Sequence, residues 1–472
     1  MADRTATARL DRRQRSRSTE PRQHAQVDVD WLGRDLLGAW PERRLAARAK
    51  AADPRYQRLD DLTVAAHRER VMGQMRQLVD DGAVLAAFPT RLGGQDDHGG
   101  NIAGFEELVL ADPSLQIKSG VQFGLFGAAV LHLGTQRHHD AFLPPIMSLD
   151  IPGAFAMTET GHGSDVASIG TTATYDPETE EFEIHTPFRG AWKDYLGNAA
   201  LHGRDAVVFA KLVTRGVDHG VHAFYVPLRD ETGAFLPGIG GEDDGYKGGL
   251  NGIDNGRLHF THVRVPRTNL LNRYGDVAAD GTYSSPIQSP GRRFFTMLGT
   301  LVQGRVSLDG AAVIAQQAAL AIAIRYGTER RQFNASSDAQ EEVLLDYRRH
   351  QRRLFTRLAK AYAQTYAHAI LLTQFDGVFS GRTDTPEERE DPETLAAGLQ
   401  SPDLPGPDYD AYRETDTERL ITIGAGLGIA LNHVNRSMGL QDIYPFVLTP
   451  VIREKLAFVD RWMSAGGGSG TG

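Results

Sequence analysis

The hydrophobic periodicity of the chain changes twice along its length, and this constrains the fold more than any other feature. Between residues 30 and 150 apolar residues recur every three or four positions, as in amphipathic helices. From 151 to 275 short runs such as EEFEIHT and RLHFTHVRVP alternate apolar and polar residues, as strands do. After 276 the helical spacing returns. The sequence therefore predicts an α+β fold with helices, then a β domain, then helices.

The chain has 472 residues, which is too long for one ordinary domain. An acidic, proline-rich stretch after residue 380 indicates a linker, because such composition favours loops over regular elements. The predicted segments are, in order, a disordered arm 1–29, an N-terminal helical domain 30–150, a β domain 151–275, a C-terminal helical domain 276–380, a linker 381–411 and an atypical tail 412–472.

Composition excludes several classes of function. The formal net charge is −9 and the pI is about 6.0, so nothing favours nucleic acid as a partner. The chain has no cysteine, which excludes disulfides and thiolate chemistry and fits a reducing cytoplasm. No apolar run of membrane-spanning length is expected, and the arginine-rich N-terminus lacks the apolar core of a secretory signal. We therefore expect a cytoplasmic protein without a membrane span.

The stretch AMTETGHGSDVASIGTTA, residues 156–173, concentrates glycines and hydroxyl residues between two apolar segments. Glycines let consecutive backbone N–H groups converge, and hydroxyls can donate to carbonyl oxygens. The stretch has neither a Walker lysine nor a G-x-G-x-x-G pattern, so it is no P-loop. It is either an ordinary turn or a binding site for a polar ring that carries phosphate.

Four segments in order resemble the acyl-CoA dehydrogenase and acyl-CoA oxidase superfamily: GAFAMTETGHGSDV, WKDYLGNAALHGRDAVVFAKL, GLNGIDNGRLHFTHVRVPRTNLL and RYGTERRQF. The details AMTETGHGSDV and NGIDNGRLHFTHVRVPR are most similar to the oxidase branch. The resemblance covers roughly residues 30–400 and agrees with the helix, β, helix order. It implies FAD between the β domain and the second helical domain, acyl-CoA as substrate, and O2 or an electron-transfer protein as acceptor.

The resemblance also implies roles for single residues in cofactor binding. Thr158 should hydrogen-bond the pyrimidine end of the flavin, and Ser164 should lie toward the pyrophosphate. Gly197 should let the backbone approach the flavin, and Trp192 should begin the segment that covers the ring. The alternatives are a strand cap for Thr158, a turn for Gly197 and simple core for Trp192.

The segment ERRQF corresponds to the family's contact between subunits. Arg330 and Gln332 would reach the FAD pyrophosphate and adenine of a neighbouring subunit, which implies a homodimer. A guanidinium suits this role because it offers several donors to phosphate oxygens. The alternative is a charged helix end. Arg305 opens a helix that the family uses near the acyl-CoA cleft, so it is a candidate substrate-binding residue.

The catalytic base of the family has no counterpart in this sequence. The usual glutamate lies about a hundred residues beyond the ERRQF-type motif, beside a glycine-rich segment that is missing here. The family's alternative position, just before Arg305, is Gly304. The candidates nearest to the expected distance are Glu414 and Glu418. Both lie in a charged run that otherwise indicates a solvated helix start.

The segment LNHVNRSMGLQDIYPFVLTPVIREKLAFVDRW, residues 431–462, resembles the C-terminal part of a zinc-binding metallopeptidase family. That family's ligand motif is missing and there is no H-E-x-x-H, so no metal site is predicted. The sequence leaves four candidate functions. They are an acyl-CoA oxidase impaired by the missing glutamate, a non-catalytic flavin- or acyl-CoA-binding subunit, a truncated fusion product, and a metallopeptidase.

Overall fold

The chain divides after Gly38 into two units. In the first unit helix α1 spans Val29–Asp35, and the Asp28 carboxylate accepts hydrogen bonds from N–H groups of its first turn. All features below belong to the second unit. The predicted tail, and most of the predicted arm and linker, lie outside the described residues. The computed structural model describes residues 28–299, 302–333 and 341–382.

The N-terminal part of the second unit is helical, as predicted. Side-chain oxygens of Thr63, Asp97 and Asp112 accept backbone N–H groups at the starts of α3, α4 and α5, which satisfies donors without a partner inside the helix. The helices are α2 Pro41–Ala51, α3 Val64–Asp80, α4 His98–Glu107, α5 Pro113–Ser119, a π-helix Gly120–Gly127, α6 Ala128–Leu133 and α7 Gln136–Met147.

The middle of the chain forms three sheets. Burial alternates along β3 and β8, in agreement with the alternating sequence pattern. One sheet has six strands, a second has the order β4–β8–β7, and a hairpin of β10 and β11 lies beyond the predicted boundary at 275. The strands are β1 Gly153–Ala156, β2 Thr172–Asp176, β3 Glu181–His185, β4 Lys193–Leu196, β5 Asp205–Thr214, β6 Val217–Pro227, β7 Ile239–Asp243, β8 Gly256–Phe260, β9 Val263–Pro266, β10 Asp276–Val277 and β11 Tyr283–Ser284.

Strand β5 organises the six-stranded sheet. Its whole length pairs with β6 on one edge. On the other edge β1 pairs with its first half and β2 with its second half, both in parallel. The chain thus leaves this edge at Ala156 and returns to it at Thr172, running in the same direction. The segment between these residues is an excursion from an otherwise continuous sheet edge.

Helices return after the sheets: α8 Pro290–Leu298, α9 Val302–Glu329 and α10 Arg348–Phe379. Helices α9 and α10 bury Leu320 and Leu354 in one cluster. Across the same contact Gln317 Nε2 donates to Thr365 Oγ1 at 2.9 Å. The predicted α+β class, with helices on both sides of a β domain, is confirmed. The division at residues 150, 275 and 380 stays a prediction.

The helical stretch Pro290–Glu329 satisfies the length and hydropathy criteria for a membrane-crossing helix, although the sequence predicted no such run. The mean hydropathy of its most apolar window is 1.5. A helix in a protein core satisfies the same criteria, and α9 buries Val306 and Leu320 against neighbouring helices. Length and hydropathy alone therefore do not assign this helix to a membrane.

A buried ionic network joins helices from both ends of the second unit. On the N-terminal side Arg44 Nη2 lies 2.6 Å from Glu106 Oε2, and Arg44 Nη1 lies 3.2 Å from Glu107. On the C-terminal side His368 Nε2 lies 2.8 Å from Glu106 Oε1, and its Nδ1 lies 2.8 Å from Asp309. Burial alone would lower the pKa of His368, but the two carboxylates outweigh it and raise the pKa to about 9.

This network predicts a loss of stability in alkaline solution. The pKa of His368 is higher in the folded chain, about 9, than its ordinary 6.5, so its contribution is complete below about pH 6.5. The contribution falls as the pH rises through 9, by at most about 3 kcal/mol. We expect thermal midpoints measured between pH 6.5 and 10 to fall less steeply for His368→Gln. The exposed His262→Gln is the control, and equal slopes in both variants would contradict the assignment.

Candidate functional site

The glycine-rich stretch forms the excursion from the sheet edge, and residues 157–171 are called the glycine loop here. At its start the N–H of Asp194 in β4 donates to the carbonyl of Thr158 at 3.0 Å. Glu159 then lies opposite Lys193 of β4 in an antiparallel bridge. Side chains of directly opposed residues point to the same side and neighbours alternate. Thr158 therefore faces away from the side that Glu159 and Lys193 share.

Glu159 and Lys193 form a fully buried ion pair, with Nζ and Oε1 2.9 Å apart. Glu159 also accepts hydrogen bonds from the N–H of Gly170 at 2.6 Å and from the N–H and hydroxyl of Thr171. Lys193 donates to the carbonyl of Met157 at 3.2 Å. Burial alone would raise the pKa of Glu159, but Lys193 and these donors lower it. One ion pair thus ties both ends of the glycine loop together.

The glycine loop keeps several hydrogen-bond donors free. In the part of the chain that the structure describes, the hydroxyls of Thr158 and Ser164 have no hydrogen-bond partner, and neither do the N–H groups of Gly163, Ser164 and Asp165. Consecutive N–H groups in a loop suit a phosphate, and a hydroxyl suits a ring carbonyl. This donor set would fit the two polar ends of FAD, and the roles of Thr158 and Ser164 in binding it stay predictions.

Trp192, predicted to begin the segment over the flavin ring, is packed against protein. Its ring lies 4.1 Å from the ring of His259 in β8, and the Arg189 guanidinium lies 3.7 Å from its centroid. Arg189 is itself held by Glu242 at 2.8 Å. The indole therefore has protein partners on its surface, and a direct flavin contact of Trp192 stays a prediction.

Gly197 follows β4 and packs closely against the N-terminal helices. A Cβ at this position would lie 2.8 Å from Cγ2 of Val121 in the π-helix. This contact alone requires glycine, and an approach of the backbone to the flavin stays a prediction. The next residue, Asn198, has a φ of 68° and donates from Nδ2 to the carbonyl of Gly153 at 2.8 Å. π-Helical segments occur frequently at functional sites.

Asp254, from the NGIDNG motif, anchors the turn that follows Gly197. Its carboxylate accepts hydrogen bonds from the N–H groups of Leu201 at 3.0 Å and His202 at 2.8 Å, and pairs with the ammonium of Lys118 in α5. Burial alone would raise the pKa of Asp254, but His202 and Lys118 hold it well below its usual range. The β domain and the N-terminal helices are thus joined at the turn that follows Gly197.

Strand β4 contains an irregularity at its centre. Lys193 pairs with Leu258 and Leu196 with Gly256, so between these pairs β4 has one residue more than β8. Within this β-bulge Tyr195 has a φ of 63° and is 65% exposed, whereas the other residues of β4 are buried. The sequence predicted no role for Tyr195, although a single aromatic residue beside the predicted flavin contacts was a visible signal.

The remaining predicted residues lie on or beyond α9. Arg305 is exposed in the first turns of this helix and has no ion-pair partner among the described residues. Arg330 and Gln332 directly follow its end and are also exposed. The structure thus brings Thr158, Trp192 and Gly197 together along β4, but shows no contact of the α9 residues with them. The candidate bases Glu414 and Glu418 lie outside the described residues.

The buried ion pair predicts a stability effect. Lys193→Met removes the ammonium at similar side-chain length and leaves the charge of Glu159 buried. Removing one partner of such a pair typically costs about 3–5 kcal/mol. We expect the free energy of unfolding from urea titration to fall by this amount. Lys211→Met in β5 is the matched control, since Lys211 has no carboxylate partner in the described ranges. Equal losses in both variants would argue against the pair.

Three family models match this chain. The model "Acyl-CoA dehydrogenase, N-terminal domain" matches residues 43–150, and "Acyl-CoA oxidase, C-alpha1 domain" matches 298–401. A model for zinc-binding metallo-peptidases matches 359–462. Among residues 28–299, 302–333 and 341–382, no group of three or more histidine, aspartate or glutamate side chains is placed to hold a metal ion.

Relatives of similar sequence carry the names of acyl-CoA oxidases. The chain is 41% identical over 345 residues to acyl-coenzyme A oxidase 3, peroxisomal, of Arabidopsis thaliana, covering 73% of this chain and 50% of the relative. It is 44% identical over 342 residues to acyl-coenzyme A oxidase 2, peroxisomal, of the same plant, covering 71% and 48%. The chain therefore spans about half the length of the relatives it matches.

The cytoplasmic location expected from the composition is wrong. Both Arabidopsis relatives are named peroxisomal, which points to the peroxisome instead. The expectation relied on the lack of cysteine, which excludes disulfides. A chain without cysteine is compatible with any compartment, whether or not disulfides form there. Composition therefore could not separate the cytoplasm from the peroxisome.

A solved structure extends the likeness to the fold. It is acyl-CoA oxidase-2 of Caenorhabditis elegans, described as bound with FAD, ascaroside-CoA and ATP. It matches with a TM-score of 0.65 and 27% identity, over 79% of this chain and 55% of the other. Family models, named relatives and fold agree with the four sequence segments. The chain belongs to the acyl-CoA oxidase and acyl-CoA dehydrogenase superfamily.

Proposed function

We propose that this chain binds FAD and oxidises acyl-CoA thioesters to trans-2-enoyl-CoA with O2 as electron acceptor. The donor set of the glycine loop carries this proposal, because free N–H groups and hydroxyls lie where the family motif expects the cofactor. The names of the oxidase relatives support the reaction, and the FAD described for the Caenorhabditis elegans oxidase supports the cofactor.

The proposed cofactor contacts follow from the loop geometry. Thr158 would donate to the pyrimidine edge of the ring from the side opposite the buried ion pair. Ser164 and the neighbouring N–H groups would bind the pyrophosphate, since free donors in a loop suit phosphate oxygens. The Glu159–Lys193 pair would hold these donors in position. Ordered donors reduce the entropy that is lost when the cofactor binds.

The proposed reaction removes a proton from the α carbon and a hydride from the β carbon of the thioester. When bound, FAD would accept the hydride and pass two electrons to O2, which gives hydrogen peroxide. The chain must supply a carboxylate for the proton. Gly304 cannot provide one, so Glu414 and Glu418 remain the proposed candidates. Arg305, next to Gly304 on α9, is proposed to contact acyl-CoA.

The glycine at position 304 also favours a second candidate function. A chain that binds flavin and acyl-CoA but lacks a positioned carboxylate would be a non-catalytic binding subunit. Loss of general-base catalysis typically slows a reaction by a factor of about 10²–10⁴. The two candidate functions share the cofactor and differ in the rate at which acyl-CoA reduces it.

We expect the purified chain to be yellow and to bleach slowly with a saturated acyl-CoA. The measurement is single-turnover flavin absorbance without oxygen, followed by detection of hydrogen peroxide when oxygen is admitted. Bleaching as fast as in an ordinary oxidase would contradict the inference that this chain lacks a positioned catalytic base. Glu414→Gln and Glu418→Gln would then identify the residue that supplies it. A chain that takes up no FAD would overturn the proposed function altogether.

We also propose a homodimer in which Arg330 and Gln332 contact the FAD of the partner subunit. Both side chains are exposed, and so is Phe333, which is 70% exposed with a φ of 58°. A bulky residue in this conformation costs energy and indicates that the turn has a function. A contact with a neighbouring subunit would explain why this turn presents charged and aromatic groups to solvent.

The homodimer predicts a defined effect of Arg330→Ala. Hydrogen bonds to a charged phosphate contribute about 1.5–3 kcal/mol, so FAD affinity should fall by about 10- to 100-fold. Titration calorimetry measures the affinity, and sedimentation at micromolar concentration measures the assembly. The control is Arg325→Ala, which is also exposed near the end of α9. Monomers that still hold FAD would contradict this proposal.

A further inference from the structure

We propose that the acidic segment 384–393 binds the exposed basic face of α10 in the same chain. The basic face is the solvent side of the first half of this helix. It consists of six exposed cationic side chains, which are Arg348, Arg349, Arg352, Arg353, Arg357 and Lys360. The acidic segment itself lies outside the described residues. Neither FAD nor a second subunit is needed for this contact.

The cations of the basic face have no carboxylate to pair with on their own helix. No acidic residue occurs between Asp346 and Asp376, although this stretch includes almost all of α10. Among the described residues, none of the six cations forms an ion pair with another element. Arg357 Nη1 donates to the carbonyl of Arg353, one turn earlier, at 2.8 Å. In the part of the chain that the structure describes, no ion pair therefore compensates the charge of the basic face.

The spacing of these cations makes them repel one another. Residues four apart lie next to each other on a helix, and like charges at this spacing destabilise it. Arg349, Arg353 and Arg357 follow one another at this spacing. The whole chain carries a net charge of −9, so the basic face is a local surplus of the opposite sign. An anionic partner on the face would remove this repulsion, whereas salt only screens it.

A segment of opposite charge follows α10 in the sequence. Residues 384–393, DTPEEREDPE, contain six carboxylates and one arginine. The chain thus separates its charges sharply, since 347–375 has no acidic residue and 384–393 is mostly acidic. Blocks of like charge are often interaction segments. Six cations and six carboxylates are complementary in number as well as in sign.

The acidic segment is long enough to reach the basic face. A helix rises about 1.5 Å per residue, so Arg357 lies about 33 Å from Phe379 along α10. An extended chain spans about 3.4 Å per residue, so Glu393 can lie about 37 Å from Arg382. A chain that turns back along α10 after Arg382 therefore brings its last carboxylates to Lys360 and Arg357.

The covalent connection favours this segment over other anions. Attachment near the end of α10 gives the acidic segment an effective concentration in the millimolar range, which a free anionic partner would have to exceed. Single ion pairs on a protein surface contribute little, whereas several charges in one contact can act together. Because the cations are exposed, we expect the contact to weaken strongly with added salt.

The test measures the distance between the acidic segment and α10 in the full chain. The chain has no cysteine, so introduced cysteines can carry spin labels at chosen positions. Thr356→Cys places one label on the exposed side of α10, and Thr394→Cys places the other directly after the acidic segment. At 0.1 M salt we expect electron–electron resonance to give a narrow distribution at short distance. At 1 M salt, where the Debye length falls to about 3 Å, this short-distance population should be lost.

Charge variants separate ionic binding from chance proximity. Removing four charges of the segment should abolish the short distance at 0.1 M salt, by Glu387→Gln, Glu388→Gln, Glu390→Gln and Asp391→Asn together. Arg353→Glu combined with Arg357→Glu should have the same effect. The matched control is Arg292→Glu on α8, since Arg292 is exposed and has no ion pair in the described ranges. It should keep the short distance, and circular dichroism verifies that each variant folds.

Four results would overturn the inference. One is a broad distribution in the unmodified chain at 0.1 M salt. A second is a short distance that persists in the four-charge variant. A third is a short distance between labels carried by separate chains, which would assign the contact to a second copy. The last is a broad distribution together with sedimentation of the chain on phosphatidylserine vesicles, which would assign the basic face to a membrane surface.

Discussion

The ion pair between Glu159 and Lys193 is the interaction on which the candidate site depends. Both charges are fully buried, and Glu159 accepts hydrogen bonds from Gly170 and Thr171 at the far end of the glycine loop. A buried pair of this kind contributes little net stability, because desolvation offsets most of the attraction. Its effect is specificity of structure, since any other arrangement of the loop would leave a charge buried without a partner. The ion pair therefore holds the free hydrogen-bond donors of Thr158 and Ser164 in fixed positions.

The site also depends on contacts between the β domain and the N-terminal helices. Gly197 packs against Val121 of the π-helix, and Asp254 pairs with Lys118 one turn earlier on the same helical run. The two contacts hold the end of β4, and the turn that follows it, against the N-terminal helices. The surfaces that would contact a ligand between the β domain and these helices are already held in place. This preorganisation reduces the entropy lost on binding.

Sequence reasoning recovered the order of the elements because each period, 3.6 or 2, is a local property of the chain. The family motif also indicated Thr158, Trp192 and Gly197 as cofactor contacts, and these roles stay predictions. Sequence reasoning could not predict that Glu159 meets Lys193, because this pairing depends on how the glycine loop lies along β4. The bulge at Tyr195 was equally hidden, since it arises from the register between β4 and β8. The prediction of a cytoplasmic location was wrong for another reason, because cysteine content does not distinguish the cytoplasm from the peroxisome.

The arrangement of β1 and β2 on β5 has a consequence for how the loop can vary. Ala156 pairs with Val208 and Thr172 with Lys211, so only the short gap at Phe209 and Ala210 separates the two strands on that edge. The pair amounts to one edge strand into which the glycine loop has been inserted. The closure entropy of such an insertion grows only slowly with its length. Between Glu159 and Gly170, which the ion pair and its hydrogen bonds hold in place, the loop can therefore change in length while the sheet beneath retains its register.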